Sequence, residues 1–341
     1  MIIDLETQVW SHTDEPDSLV PGRGRMSEQA DEPATRPWVN LDRFPGAYDK
    51  AMSCVDVSAV LGFRSRFLST HISAETVASF VAKAPSRRIG FAGIDPLLPD
   101  PVGEIDRAVS LGLSGVCISP ALQNFHPSHS RAALVYERCQ EIGLPIIVRY
   151  LQRMPVESIM EYASPVFLDE VARNFPRLKL VIGQLGWPFA DQTLALIGKH
   201  ENVFTTLSGI GSHPWRLYNM LMSAFECGVM NKVLFASNFP FDMPERIIER
   251  LYSLNQYSHG TSLPSIPRQQ LRGIVERDAL DCLGLERPEG APISSSIASG
   301  LAPVDDEEAQ MPTVHVQALS DVFGGKSKDP ESYFDSSADE D

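Results

Sequence analysis

The sequence of 341 residues predicts a closed (β/α)8 barrel. Short β-rich runs recur through the first 241 residues, and each is followed by a stretch with helical periodicity. This alternation is the pattern of parallel βα units, and the almost continuous apolar character of several runs is typical of strands covered on both faces. We place the eight strands at residues 1–6, 55–63, 88–96, 115–121, 145–150, 179–185, 202–208 and 232–239.

The connections between these strands carry helix signals. Ser73 and Ser164 are suitable N-caps, and Pro101, Pro214 and Pro244 suit a first helical turn. The predicted helices lie at residues 73–84, 101–111, 129–142, 164–174, 189–199, 214–227, 244–254 and 267–283. A helix therefore follows every strand from the second onward.

The segment between the first two strands, residues 10–50, is rich in Pro, Gly and charge and is too long for an ordinary connection. In a barrel of this type the loop after a strand rises from the catalytic face. We therefore expect a lid or a partner-binding surface there, on a barrel that covers residues 1–287.

Residues 288–341 change abruptly to Ser, Pro, Ala, Gly and acidic residues, a composition that predicts a disordered acidic tail. From residue 289 onward, twelve acidic residues stand against two lysines, so most of the net charge of −15 lies in this tail. An apolar island at residues 314–323 is either a site that contacts a protein partner or the barrel, or an incidental patch in a linker.

Composition excludes several classes of function. The chain has no apolar run of about 18 to 20 residues and no signal-peptide pattern at its start, so we expect a soluble, cytoplasmic protein without a membrane partner. The five cysteines are scattered and form no Cys-x-x-Cys pair, which argues against a disulfide framework or a zinc knuckle. No basic stripe is present, so nucleic acid is not an expected partner.

Six segments follow the order of the predicted strands: DLETQ at 4–8, GVCISP at 115–120, LPIIVR at 144–149, NFPRLKLVIGQLG at 174–186, NVF at 202–204 and VLFASNFP at 233–240. Together they resemble the amidohydrolase-related family of metal-dependent TIM-barrel hydrolases and decarboxylases. The resemblance runs from residue 1 to about residue 285. It implies a site at the C-terminal ends of the strands, and it makes a homodimer plausible.

Members of that family carry metal-ligating histidines and an aspartate at positions that here are Glu6, Gln8, Arg149, Gln184 and Asn238. A zinc site needs at least three converging nitrogen, thiolate or carboxylate ligands, and only Glu6 is a good one. Arg149 is a permanent cation that would repel a metal ion, and Asn238 cannot act as a general base. The substitutions therefore predict neither a bound metal nor another cofactor.

Two interpretations of these substitutions remain open. The Arg149 guanidinium could lie where the metal would sit and pair with Glu6, with Gln184 and Asn238 completing a hydrogen-bonded cluster. Alternatively, the positions drifted after catalysis was lost and are polar side chains solvated at the floor of the pocket.

The favoured function is a pseudoenzyme that acts as a binding or assembly module, with residues 10–50 and 314–323 as contact surfaces for a protein partner. The alternative is a metal-independent hydrolase or decarboxylase that acts on a small carboxylate. In that case Arg149 and Arg64 would bind the anionic ligand.

Four further residues are candidates for lining the pocket. Ser119 stands where the family commonly has a histidine, and His126 lies in the loop after the fourth strand, where a capping role is the simpler interpretation. Trp187 could stack on a ligand or pack beneath loops. His213 could transfer protons or mark the entry to a helix.

Overall fold

Eight parallel strands form one sheet, as predicted. The computed structural model describes residues 1–9, 46–151 and 154–291. The strands of this sheet, in spatial order, are β1 (Ile3–Gln8), β2 (Val57–Leu61), β5 (Arg88–Gly93), β6 (Gly115–Ile118), β7 (Ile146–Val148), β8 (Leu180–Ile182), β9 (Val203–Thr206) and β10 (Val233–Leu234). Two short strands outside this sheet, β3 (Phe63–Ser65) and β4 (Thr70–Ile72), form an antiparallel hairpin.

The sheet closes on itself between β1 and the chain that follows β10. Leu5 N donates to Phe235 O at 3.2 Å, Gln8 N donates to Phe239 O at 2.9 Å, and Asn238 N donates to Glu6 O at 3.0 Å. These bonds continue the parallel pattern across the seam and confirm the (β/α)8 barrel.

The predicted strand at 55–63 is divided in the structure, and the hairpin was not predicted. The chain turns between β2 and β3 at Gly62, where a Cβ atom would lie 2.9 Å from the Gly93 backbone nitrogen. Only glycine allows this approach of two backbones. Apolar composition continues through the turn, so the pattern of residues does not reveal it.

The helices that surround the sheet are close to the predicted ones. They are α1 (Ala47–Ala51), α2 (Ala74–Val81), α3 (Pro101–Ser110), α4 (Pro120–Gln123), α5 (Ser130–Ile142), α6 (Leu168–Asn174), α7 (Ala190–Lys199), α8 (Pro214–Glu226), α9 (Pro244–Tyr252), α10 (Arg268–Glu276) and α11 (Ala279–Leu283). Ser73 caps α2 by accepting from Thr76 N at 3.1 Å. Ser164 makes no side-chain cap, because a 3-10 turn at Pro165–Phe167 precedes α6.

The last predicted helix, residues 267–283, is two helices. Arg277 has an extended conformation and ends α10, and Asp278 begins α11 by accepting from the backbone N–H groups of Leu280 and Asp281. The apolar periodicity continues through residues 267–283, so the N-cap residue Asp278 is the sequence signal that one helix ends and another begins.

Apolar side chains form an inner and an outer layer. Inside the barrel, Cys117, Ile147 and Val181 pack with side chains from all the remaining strands of the sheet. Their neighbours along the strands face the helices. This period of two is what a parallel barrel requires.

Of the predicted insertion 10–50, residues 46–50 form a turn and most of α1. Residues 10–45 lie outside the described residues, as do residues 292–341 of the predicted tail with the segment 314–323. Residues 288–291 form a turn in which Ala291 N donates to Pro288 O at 3.0 Å. No helix in the described ranges is long and apolar enough to cross a membrane.

Tyr48 anchors α1 to the barrel. Its hydroxyl lies 2.6 Å from Thr7 Oγ1 and donates to Ser58 Oγ at 2.8 Å, and the whole side chain is buried. We expect Tyr48→Phe to lower the free energy of unfolding by about 1 to 2 kcal/mol, because two buried hydroxyls lose a partner. Urea unfolding of the wild type and the variant would measure this change in the free energy of unfolding. Tyr252→Phe is the control, since that hydroxyl makes one long bond at the surface and its removal should change stability little.

Candidate active site

The five substituted positions come together at the C-terminal ends of the strands. Glu6 and Gln8 lie on β1, Arg149 follows β7, Gln184 follows β8, and Asn238 follows β10. Arg149 Nη2 donates to Gln8 Oε1 at 2.5 Å, and Gln8 Nε2 donates to Asn238 Oδ1 at 2.9 Å. All five are buried and therefore not solvated at an open pocket floor, while their drift after a loss of catalysis stays an interpretation.

Arg149 is a buried cation with few hydrogen bonds. It is 2% exposed, and its guanidinium carbon lies 5.5 Å from the centre of the Phe63 ring. Within the described structure, its Nε and Nη1 atoms have no hydrogen-bond partner, and neither has Gln184 Oε1. Burial lowers the pKa of Arg149, and the proximity of Cys117 and Glu6 raises it. A guanidinium keeps its charge in proteins, so a fixed positive charge lies inside the barrel mouth.

Glu6 does not make the direct ion pair with Arg149 that the sequence suggested. Its carboxylate accepts from Thr206 Oγ1 and lies against Gly183, where a Cβ atom would be 3.2 Å from Glu6 Oε1. Among the described residues no ion pair joins Glu6 to Arg149, because the carboxylate is turned toward β9. Burial raises the pKa of Glu6, while bonds from Thr206 and Ser208 and the charge of Arg149 lower it.

Two of the substituted residues have left-handed backbone conformations. Gln184 has φ 55° and ψ 33°, Leu185 follows with φ 50°, and Asn238 has φ 64°. Such conformations are uncommon outside glycine and cluster at functional sites. At Gln184 the turn directs the amide so that Nε2 donates to Tyr150 O at 2.9 Å, and the backbone N–H donates to Thr206 Oγ1 at 3.3 Å.

Ser119 lies beside Arg149, whereas the Arg64 guanidinium is engaged elsewhere. Ser119 Oγ donates to Arg149 O at 2.8 Å, and both residues line a cavity of about 10 Å³, room for about one water molecule. Arg64 Nη1 lies 2.5 Å from Glu104 Oε1 on α3, and its side chain is about one third exposed. No bond joins Arg64 to Arg149 among the described residues.

The histidines near the site have local structural roles. His126 Nδ1 accepts from Ser128 N at 3.1 Å, and its ring packs 4.4 Å from that of Phe167. His129 Nδ1 caps α5 by accepting from Arg131 N at 3.1 Å. The geometry therefore supports the capping interpretation of His126.

Trp187 and His213 lie at the same end of the barrel. The Trp187 ring is half-buried, packs against the apolar core and carries the Arg216 guanidinium over its face at 3.7 Å. His213 is exposed and occupies the N-cap position of α8, in agreement with a helix-entry role.

The sequence interpretation missed the residues that surround Glu6. Thr206 lies two positions after Phe204, whose side chain points into the barrel. The alternation of a strand therefore predicts that Thr206 also points inward, and this signal was available in the sequence. Ser208, whose Oγ is 3.3 Å from Thr206 Oγ1, lies beyond the strand and had no such signal.

Ligands for a metal ion are scarce in this site. Across residues 1–9, 46–151 and 154–291, no three His, Cys, Asp or Glu side chains converge in a way that could hold one. Cys117 is also an unsuitable nucleophile, because burial raises the pKa of its thiol to about 12.

Three solved structures illustrate the similarity of the fold. An uncharacterized TIM-barrel protein from Bordetella bronchiseptica has a TM-score of 0.62 at 17% identity, covering 83% of this chain and 99% of that one. The 5-carboxyvanillate decarboxylase of Sphingomonas paucimobilis has a TM-score of 0.57 at 18% identity, covering 84% and 99%. A dihydroxybenzoic acid decarboxylase from Polaromonas, with bound manganese and the inhibitor 2-nitroresorcinol, has a TM-score of 0.56 at 16% identity, covering 83% and 96%.

The sequence matches a family profile but no individual curated protein. A search of curated proteins gave no match. The sequence profile of the family described as amidohydrolase matches residues 33–285, which is well over half of the chain and spans most of the barrel. Together with the barrel and the strand-end segments, this match identifies the chain as a member of the amidohydrolase family.

Proposed function

We propose that this amidohydrolase-family barrel has no metal-dependent hydrolase activity and serves as a binding or assembly module. The observation that carries the proposal is the buried guanidinium of Arg149, hydrogen-bonded to Gln8 in the centre of the strand-end site. A fixed cation at this point disfavours a divalent ion, because the two like charges would repel each other at short range in a medium of low polarity.

The other side chains of the site do not fit a divalent metal either. Glu6 is the one carboxylate among the five substituted positions, and it is engaged by Thr206. Gln8, Gln184 and Asn238 offer neutral amide oxygens, which are poor ligands for zinc. Asn238 also lacks the basic form that a carboxylate would supply for activating water.

The surface of the described chain supports a role in binding. In the segment after β7, Val156 is 98% exposed, Met160 53% and Val166 56%. Exposed large apolar side chains, where they form a contiguous patch, are typical of contact surfaces. The protein partner that we propose would contact residues 10–50 or 314–323, and a homodimer is one form that such an assembly could take.

The proposal predicts a low metal content. Protein purified without chelator and without a histidine tag should contain far less than one equivalent of zinc, manganese or iron per chain by elemental analysis. About one equivalent of a single metal would overturn the proposal. A relative that carries the family's histidine ligands, purified in parallel, controls for metal lost during purification.

A second candidate is a metal-independent hydrolase or decarboxylase that acts on a small carboxylate. It is favoured by Nε and Nη1 of Arg149, the two nitrogen atoms that lack partners in the described structure, since a carboxylate is the acceptor that a guanidinium binds best. Binding of formate, the smallest carboxylate, should then raise the melting temperature of the wild type, and Arg149→Met should abolish this shift. Arg64→Met is the control, because Arg64 is paired with Glu104 and should leave the shift unchanged.

A further inference from the structure

The hydrogen-bond chain from Arg149 through Gln8 to Asn238 crosses the full width of the barrel. In the order of the strands, β7 stands four places from β1 in either direction. Arg149 follows β7, Gln8 ends β1, and Asn238 lies on the chain that closes the seam beside β1. The guanidinium therefore joins one wall of the barrel mouth to the opposite wall.

The two ends of this chain are held differently. At the seam, β1 and the segment that follows β10 are held together by backbone bonds from Gln8 N to Phe239 O at 2.9 Å and from Asn238 N to Glu6 O at 3.0 Å. On the far wall, the Arg149 backbone is held by its own N–H to Ile118 O at 2.7 Å. In this series of hydrogen bonds, the bond from Arg149 Nη2 to Gln8 Oε1 is the one that spans the space between the two walls.

Charge compensation in the mouth involves the same residue. Arg149 is 2% exposed and Glu6 is 1% exposed, so neither charge is in contact with bulk water. The carboxylate and the guanidinium attract each other without direct contact, and Gln8 Oε1 supplies a dipole directed at the cation. A buried charge that loses such compensation is strongly destabilising.

We propose that the buried Arg149 guanidinium ties β7 to the β1–β10 seam across the barrel mouth through its hydrogen bond to Gln8. This inference rests on the proposed function only for the statement that no metal occupies the site. The tie itself depends on the hydrogen bonds and the burial of Arg149.

The tie is tested first by thermal unfolding of the full-length protein. Arg149→Met should lower the melting temperature by about 6 to 10 °C, because it leaves Gln8 Oε1 and the Glu6 charge without compensation. Arg64→Met, which removes a partly exposed arginine with one ion pair, should lower it by less than about 2 °C. An unchanged melting temperature for Arg149→Met would overturn the proposal.

A double-mutant cycle separates the tie from ordinary loss of packing. Gln8→Met removes the acceptor, so Arg149→Met should lower the melting temperature in the Gln8→Met background by less than half of its effect in the wild type. Additive shifts would mean that the two residues stabilise the barrel independently, and the tie would then be rejected.

Metal addition separates the tie from the proposed function. Zinc chloride should leave the melting temperature of the wild type unchanged. Zinc bound by the wild type would contradict the proposed function, whereas the double-mutant cycle would still decide the tie.

Discussion

Asp4→Asn is expected to stabilise the protein at pH 8 by about 4 kcal/mol and to have little effect at pH 4. Asp4 is fully buried between the sheet and the helices beside the barrel seam. Its Oδ1 accepts from Ser237 N at 2.9 Å and from Glu6 N at 3.3 Å, while Oδ2 has no partner in the described structure. Burial raises the pKa of this carboxyl from 3.8 to about 7.

The sign of the effect follows from the two pKa values. Below pH 3.8 the carboxyl is protonated in both the folded and the unfolded chain, so it contributes no pH dependence. Between pH 3.8 and about 7 the folded chain keeps the proton that the unfolded chain has lost, so the free energy of unfolding falls as the pH rises. Above about pH 7 both states are ionised and the loss is complete. Asparagine resembles the protonated acid, keeps the acceptor for Ser237 N and does not ionise.

The measurement is urea unfolding of wild type and variant from pH 4 to pH 8, with the difference between the two curves as the readout. Asp169→Asn is a control of opposite sign, because bonds from Lys199 and His200 lower the pKa of Asp169 to about 2. The stability that this variant loses relative to wild type develops between about pH 2 and pH 4, so its deficit should stay constant from pH 4 to pH 8. Parallel pH profiles for wild type and Asp4→Asn would mean that the Asp4 carboxyl keeps its ordinary pKa of 3.8 in the folded protein.

Gly93→Ala is expected to destabilise the protein by about 4 kcal/mol or more, or to prevent the recovery of folded protein. A Cβ atom on Gly93 would lie 2.3 Å from Phe63 Cα and 2.4 Å from Phe63 N. Both are backbone atoms, so no change of side-chain rotamer relieves the contact. β3 would have to move away from the end of β5, and it carries the Phe63 ring that packs against Arg149.

Soluble yield and melting temperature measure this effect. Gly273→Ala is the matched control, because Gly273 lies in the middle of α10 and the nearest atom to an added Cβ is the flexible end of Arg277 at 3.5 Å. Alanine should stabilise that helix by about 0.5 to 1 kcal/mol. Equal stability of Gly93→Ala and wild type would mean that the approach of β3 to β5 is looser than the structure indicates.

Much of the site could be predicted from the sequence because strand ends in a parallel barrel meet at one face. That rule predicts that Glu6, Gln8, Arg149, Gln184 and Asn238 lie together. It could not supply the pairing within the group. Arg149 was expected to bind Glu6 because opposite charges attract, yet Gln8 is the residue within reach of the guanidinium and Glu6 turns toward Thr206.

A binding role for Arg64 depends on where its side chain points as well as on its position in the sequence. Arg64 was placed correctly near the end of the second strand, but it lies on the β3–β4 hairpin, which the apolar pattern did not reveal. On that hairpin its side chain reaches Glu104 on α3. Whether Arg64 also contributes to ligand binding stays a prediction.

The sequence by itself determined the fold class, the order of the strands and the polar character of the barrel mouth. These properties depend on periodicity and composition, which are local along the chain. Only the tertiary structure decided which atoms of the mouth are bonded, which charges are buried without a contact partner and where the chain turns at Gly62. Those outcomes depend on distances between residues such as Arg149 and Gln8, 141 positions apart, and such distances are fixed only when the closed barrel brings opposite strands together.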